Sequence, residues 1–242
     1  MNIKWQIHSA PRTAGFLFKQ RIHSWLDRRA GRRRDEAVLA FVRAHAQAGD
    51  PASVLQAMDE FSMGRRWLMN IGPEKGRIMV QALQEAAARN VLELGAYCGY
   101  SATLIGQCLA SCDGRLTSIE ISSSHVAVAR QIIEHAGLSA HVQFRKGTLS
   151  TELDSLEGPF DGVLLDHWKD EYLPDLKRLE ERGLIKAGTV VIADNVGFFA
   201  VPDYLDYVRQ SGRYRTRFEE ASVEYNEKLR DGVEVSVYLG SG

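Results

Sequence analysis

Between residues 90 and 193 the chain alternates short apolar runs with amphipathic stretches, and this pattern constrains the fold most. The runs are 91–94, 116–119, 142–144, 163–165 and 190–193, and helix-like segments at 100–110, 123–135 and 170–181 fall between them. Continuous apolar runs separated by helices are expected of strands buried on both faces of a parallel sheet. The C-terminal part breaks the rule: 214–218 and 233–239 read as two strands with no helix between them, so an antiparallel edge is expected. Ahead of the sheet, Val38, Leu39, Phe41 and Val42 follow a helical period up to a break at Gly49-Asp50-Pro51. There Asp50 is placed to cap a second helix, running to about Met63, with Pro51 at its first position. A third helix is expected over 74–88. The reading is an α/β, doubly wound, Rossmann-like, mostly parallel sheet with an antiparallel C-terminal edge and additional N-terminal helices.

With 242 residues the chain is long enough for one large domain with a buried core. Its net charge of −1 gives no global attraction to nucleic acid or membrane, but it hides an asymmetry. The first 35 residues carry nine Lys or Arg and two Asp or Glu, whereas the remainder carries 21 and 29. Within 14–29, Phe18, Ile22, Trp25 and Leu26 share a helical face, and Arg32-Arg33-Arg34 follows. A basic amphipathic extension over 1–34 is therefore expected before a catalytic domain over 35–242. It either docks on the domain as an extra helix, stays a poorly ordered arm, or touches an anionic or membrane surface through 14–34. Three clustered cysteines, Cys98, Cys108 and Cys112, form no even disulfide framework and point to a reducing cytoplasm. No apolar run is long enough to span a bilayer.

Ligands of an open parallel sheet bind beyond the carboxyl ends of its strands. The first strand ends in Glu93-Leu94-Gly95-Ala96-Tyr97-Cys98-Gly99, a glycine turn leading straight into a helix N-terminus that favours an anionic group. The second ends at Glu120, where an acid can hold a ribose diol. The fourth ends in Asp166-His167-Trp168-Lys169 and the fifth in Asp194-Asn195. If those strands are neighbours, Asp166, Asp194 and Asn195 form a set of hard oxygen ligands suited to Mg2+, with Lys169 beside them. Taken singly, each of these residues is as well explained by ordinary turn chemistry, strand-end capping or solvation; the set carries the inference.

These strings resemble a known family. LELGAYCGYSA (92–102), LDHWKDEYLPD (165–175) and ADNV (193–196), with RRWLMNIGPEKGRI (65–78) and GDPASVL (49–55) upstream, are similar to catechol O-methyltransferases in the same order, from about residue 36 to about 240. The resemblance implies methyl transfer from S-adenosylmethionine to one hydroxyl of a small-molecule catechol. Asp166, Asp194 and Asn195 would bind Mg2+ and Lys169 would be the general base. Glu224 would hold the hydroxyl that is not methylated, with Asn195 also on the substrate. Trp67 and Trp168 would wall a flat slot, with Met69 near the transferring methyl. Ile71, Glu93, Gly95, Tyr97, Ser101 and Glu120 would line the methionine and ribose part of the cofactor site. His167 and Trp168 would border adenine next to Asp166, and Gly147 and Ser150 would complete that side. Two departures stand out: Leu149-Ser150 replaces a Ser-Gln pair near adenine, and Phe199 replaces a proline lining the slot.

The chemistry agrees with the set. A phenol with a pKa near 10 is a poor nucleophile at neutral pH; a metal on both catechol oxygens lowers that pKa and fixes orientation. A lysine base is normally protonated, and the positive charges of metal and sulfonium favour its neutral form. Alignment supplies much of the rest, since well-oriented pairs gain roughly 7–11 kcal/mol. Three other readings compete: a related enzyme for caffeoyl-type diphenols, a non-catalytic S-adenosylmethionine-binding protein, and an NAD(P) oxidoreductase. The last is disfavoured because Gly95 and Gly99 do not form G-x-G-x-x-G.

Overall fold

The structure, a computed structural model, describes residues 33–199 and 201–240. Its element order is α1 (Arg34–His45), α2 (Pro51–Gly64), α3 (Gly72–Glu85), β1 (Asn90–Leu94), α4 (Tyr100–Ala110), β2 (Arg115–Glu120), α5 (Ser123–His135), β3 (Val142–Lys146), α6 (Leu149–Glu152), β4 (Phe160–Leu165), α7 (Tyr172–Glu181), β5 (Ile185–Ala193), α8 (Pro202–Gln210), β6 (Tyr214–Val223) and β7 (Asn226–Tyr238). The expected amphipathic stretch lies outside the described residues except at its end. There Arg33 pairs with Asp35, and Arg34, the first residue of α1, donates to the Trp67 carbonyl at 3.2 Å. Asp50 caps α2 as expected, accepting from the amides of Ala52 and Ser53.

The sheet runs β3-β2-β1-β4-β5-β7-β6, parallel through β5 and antiparallel at β7 and β6. The strand order reverses between β1 and β4, the crevice where such sheets bind ligands. Alternation along each strand feeds two cores. Val91, Val190 and Ile192 face the layer of α1–α5, whereas Leu92, Leu94, Val191 and Ala193 face α7 and α8. Each fully buried Leu or Val contributes roughly 1.5–3 kcal/mol, so these layers hold the strand register tightly.

Register decides where the site lies. Leu94 pairs with Leu165 and Leu165 with Ala193. The next residue of each strand therefore stands in one row, Gly95, Asp166 and Asp194, tied by Gly95 N to Ile119 O, Asp166 N to Leu94 O and Asp194 N to Leu165 O. A Cβ at Gly95 would lie 2.3 Å from the Asp166 carbonyl oxygen, so only glycine permits this approach. The C-terminal hairpin reaches the same row. Val223 pairs with Asn226, which leaves Glu224 and Tyr225 as its two-residue turn, with Tyr225 at φ 57°. The register shifts just before this turn, between Ser222 and Val223.

Candidate active site

Beyond β1 and β2 the polar groups are satisfied by backbone. The Glu120 carboxylate accepts from the amides of Ala96 (3.2 Å), Tyr97 (3.0 Å) and Ser122 (2.8 Å). Burial alone would raise its pKa, but hydrogen bonds from His125 and from those amides outweigh burial and hold it below the ordinary value. Tyr97, at φ 45°, sets its ring edge-on to His125 at 4.9 Å. Glu93 is different. Fully buried, it receives the Ser118 hydroxyl on Oε2, while Oε1 is buried without a hydrogen bond among the described residues. Burial, with Asp166 and Glu120 adding repulsion, pushes its pKa up to about 7. Ser101 is buried in the first turn of α4, behind Gly99 in the left-handed region. His167 places Nε2 3.0 Å from Asp175 and leaves Nδ1 buried without a partner among the described residues. Unpaired buried acceptors around a close-approach glycine fit a polar cofactor that completes them. Across from them, Gly147 donates its amide to the Glu120 carbonyl, the Ser150 hydroxyl turns to Thr148 in the exposed cap of α6, and Leu149 is buried in the core.

Beyond β4, β5 and the β6–β7 turn, four carboxylates converge. Ligand atoms of Asp194, Glu224 and Asp231 lie within 4.8 Å of one another. The ammonium of Lys75, from α3, stands among them: 2.8 Å from Asp194, 2.7 Å from Asp231, and bonded to Glu224 Oε1. Asn195, at φ 58°, donates its amide to Glu224 (2.9 Å) and Asp231 (2.8 Å), so its Oδ1 is the atom left to ligate. Lys169 lies 3.5 Å from Asp166 and 2.5 Å from the Tyr172 hydroxyl, which in turn donates to the Asp194 carbonyl at 3.1 Å. Burial raises the pKa of Asp194 well above the carboxylate range, and Asp166, Asp231 and Glu224 add to it against Lys75. Asp166 is raised too, by burial and Glu224, with Lys169 and Lys75 opposing. Asp166, Asp194, Glu224 and Asp231 face two ammonium groups, so ionisation of all leaves two negative charges in excess, which a divalent cation would neutralise.

Around this centre the aromatic residues form an open rim. Trp67 donates its indole N–H to the Glu224 carbonyl at 3.1 Å. Met69 and Trp168 are 63% and 53% exposed, whereas Ile71 is fully buried beneath. The Phe199 ring lies 5.8 Å from the Lys169 ammonium and packs edge-on against Phe198 at 4.9 Å. The structure brings Asp166, Lys169, Asp194, Asn195 and Glu224 together, whereas the Ser150 side chain turns to Thr148. Sequence reasoning missed Lys75 and Asp231. Lys75 follows Ile71 by four residues and precedes Met79 by four, so a charge stood in an apolar helical stripe, the one signal that marked it.

The fold is that of a methyltransferase class. It is shared with the O-methyltransferase from Bacillus cereus in complex with SAH, at a TM-score of 0.64 and 24% identity over 78% of this chain and 90% of that one. Residues 46–237 match the O-methyltransferase family. The chain is 42% identical to catechol O-methyltransferase B of Danio rerio, over 86% of this chain and 80% of that protein. It is 40% identical to catechol O-methyltransferase of Bos taurus, over 87% and 78%. The chain belongs to the O-methyltransferase family, in its catechol O-methyltransferase group, and is an enzyme that methylates oxygen.

Proposed function

We propose that this enzyme transfers a methyl group from S-adenosylmethionine to one hydroxyl of a catechol, with Mg2+ on the diol and Lys169 as general base. The observation that carries the metal is the excess of carboxylate over ammonium at the ends of β4 and β5. Lys75 fills the space between Asp194, Glu224 and Asp231, which leaves the side facing Asp166, Asp194 and Asn195 Oδ1 for the ion. Mg2+ held there by Asp166, Asp194 and Asn195 would supply positive charge that lowers the pKa of the diol. S-adenosylmethionine supplies the electrophilic methyl. Glu93 Oε1 and His167 Nδ1 offer acceptors to its methionine and adenine ends, Glu120 lies where a ribose binds, and Gly95 lets the chain approach it closely. Tyr97, Ser101, Ile71, Gly147 and Ser150 complete this side in the proposal.

Lys169, as the neutral amine, then takes the proton of the attacking hydroxyl and becomes the ammonium, with Tyr172 and Asp166 holding its Nζ in place. Glu224 accepts from the second hydroxyl. Trp67, Trp168, Met69 and Phe199 hold the flat ring. The proposal also places the enzyme in the cytoplasm, in keeping with three free cysteines, and divides the chain into an extension over 1–34 and a catalytic domain over 35–242. Contact of 14–34 with a membrane surface rests on their basic amphipathic pattern; no helix among the described residues is long and apolar enough to cross a membrane.

The test is a methyl-transfer assay over catechol, a caffeoyl ester and a monophenol, with and without Mg2+. Turnover of the vicinal diphenols, abolished by chelator and restored by Mg2+, is expected. Full activity in excess chelator, or equal turnover of the monophenol, rejects the proposal.

A further inference from the structure

Lys75 is 1% exposed, and no mechanism step uses it. An ammonium in a dry interior is unfavourable unless paired closely. Burial would lower its pKa, but Asp194, Glu224 and Asp231 outweigh burial and keep it well above the ordinary lysine value. A purely structural ion pair needs one partner; this one has three, and two of them carry roles in the proposed reaction. The third, Asp231, also holds the Asn195 amide at 2.8 Å and the Phe198 amide at 2.9 Å.

The consequence falls on Glu224. It sits on a two-residue hairpin turn, where its backbone alone does not dictate which oxygen faces the slot. Lys75 and Asn195 both donate to the same oxygen, Oε1, and no protein group among the described residues donates to Oε2. Without the ammonium, Glu224 would face Asp194 and Asp231 across less than 4.8 Å with only a neutral amide between them, and repulsion would turn it away. We infer that Lys75 is a positioning residue for substrate recognition: its ammonium pins Glu224 Oε1 and so presents Oε2 to the catechol hydroxyl that is not methylated. This rests on the proposed contact of Glu224 with substrate.

A double-mutant cycle with a binding readout tests it. The dissociation constant of catechol is measured calorimetrically, with Mg2+ and S-adenosylhomocysteine present, for the wild type, Lys75→Met, Glu224→Gln and the double variant. Lys75→Met is expected to weaken catechol binding about tenfold, the range of a lost hydrogen bond to a charged group. The same substitution in the Glu224→Gln background is expected to change it less than about threefold, since coupled residues are not additive. Affinity for S-adenosylhomocysteine should stay unchanged in all four proteins, which also reports folding, and kcat of Lys75→Met should change far less than KM. If Lys75→Met fails to fold, the near-isosteric Asp231→Asn takes its place in the cycle, with a smaller loss of the same pattern. An undiminished effect in the Glu224→Gln background, or no effect of Lys75→Met while Glu224→Gln weakens binding, overturns the inference alone. If Glu224→Gln leaves catechol binding unchanged, the substrate contact proposed for Glu224 fails and the inference falls with it.

Discussion

The two ends of the crevice are both acidic, yet they treat their acids in opposite ways. Beyond β1 and β2, Glu120 is wrapped by three backbone amides and its pKa is held down. Beyond β4 and β5, Asp166 and Asp194 are taken out of water, and that burial, with neighbouring carboxylates adding to it against the lysines, pushes their pKa values up. A carboxylate held by peptide dipoles is a finished acceptor, ready for a neutral polar ligand such as a ribose. Carboxylates held by too few cations are an unfinished site, whose charge is completed by an ion. Glu93 lies between the two regimes, buried with serine hydroxyls, Ser118 and Ser101, in place of backbone amides.

The largest break expected in this contrast comes from Lys169→Ala. Loss of a general base lowers kcat about 10²–10⁴-fold, while S-adenosylhomocysteine affinity stays within twofold because Lys169 belongs to the ion side alone. Single-turnover rates and cofactor titrations check it, and wild-type turnover removes Lys169 from the mechanism. Next is Glu120→Gln. It weakens the hold on the Ala96–Tyr97 loop and on the proposed ribose, and an order-of-magnitude loss of cofactor affinity is expected from one charge-assisted bond. The Mg2+ requirement should not change; a shifted Mg2+ dependence would show that the two ends are not separate.

The smallest effect on turnover at saturating cofactor, where its proposed contact with the methionine end is already made, but a clear one on stability, is expected of Glu93→Gln. The folded pKa near 7 exceeds the unfolded value near 4.5. The folded protein therefore holds this proton more tightly, and the contribution is fully present below about pH 4.5 and lost as pH rises through about 7. At pH 8 the ionised Glu93 opposes folding by at most about 3 kcal/mol. Glu93→Gln should thus raise the melting temperature relative to wild type more at pH 8 than at pH 5. An equal difference at both pH values would show that Glu93 does not carry the shift.

Much of this was legible in the chain. The five parallel strands were marked by apolar runs, because strands buried on both faces leave little choice of residue. That Asp166 and Asp194-Asn195 stand side by side was legible because they follow the apolar runs of two strands, which the sheet makes neighbours. α8 was not foreseen: among its buried residues are only Tyr204 and Val208, too few for a clear period. β7 begins at Asn226, well before the expected 233, because the polar run Asn-Glu-Lys ahead of Leu229 does not look like a strand. Lys75 and Asp231 were hidden for a different reason. Their environment depends on contacts across about 120 to 156 residues of chain, and a local pattern treats Lys and Asp as solvated. The apolar stripe of Ile71 and Met79 marks Lys75 as out of place but does not name its partners.

The insertion of β7 between β5 and β6 also sets an order of events in folding. Residues 226–238 follow β6 in the chain, yet they enter the sheet beside β5 rather than add to its outer margin. Until they do, β5 is an open edge, Lys75 lacks Asp231, and Glu224 has no closed hairpin to stand on. The pairings of Lys75 with Glu224 and Asp231 span 149 and 156 residues, so the loop-closure entropy set against them is large. The acidic cluster is thus tied to β7: a polypeptide that stops short of it already carries the strand ends beyond β1 and β2 but still lacks Asp231 and the turn that holds Glu224.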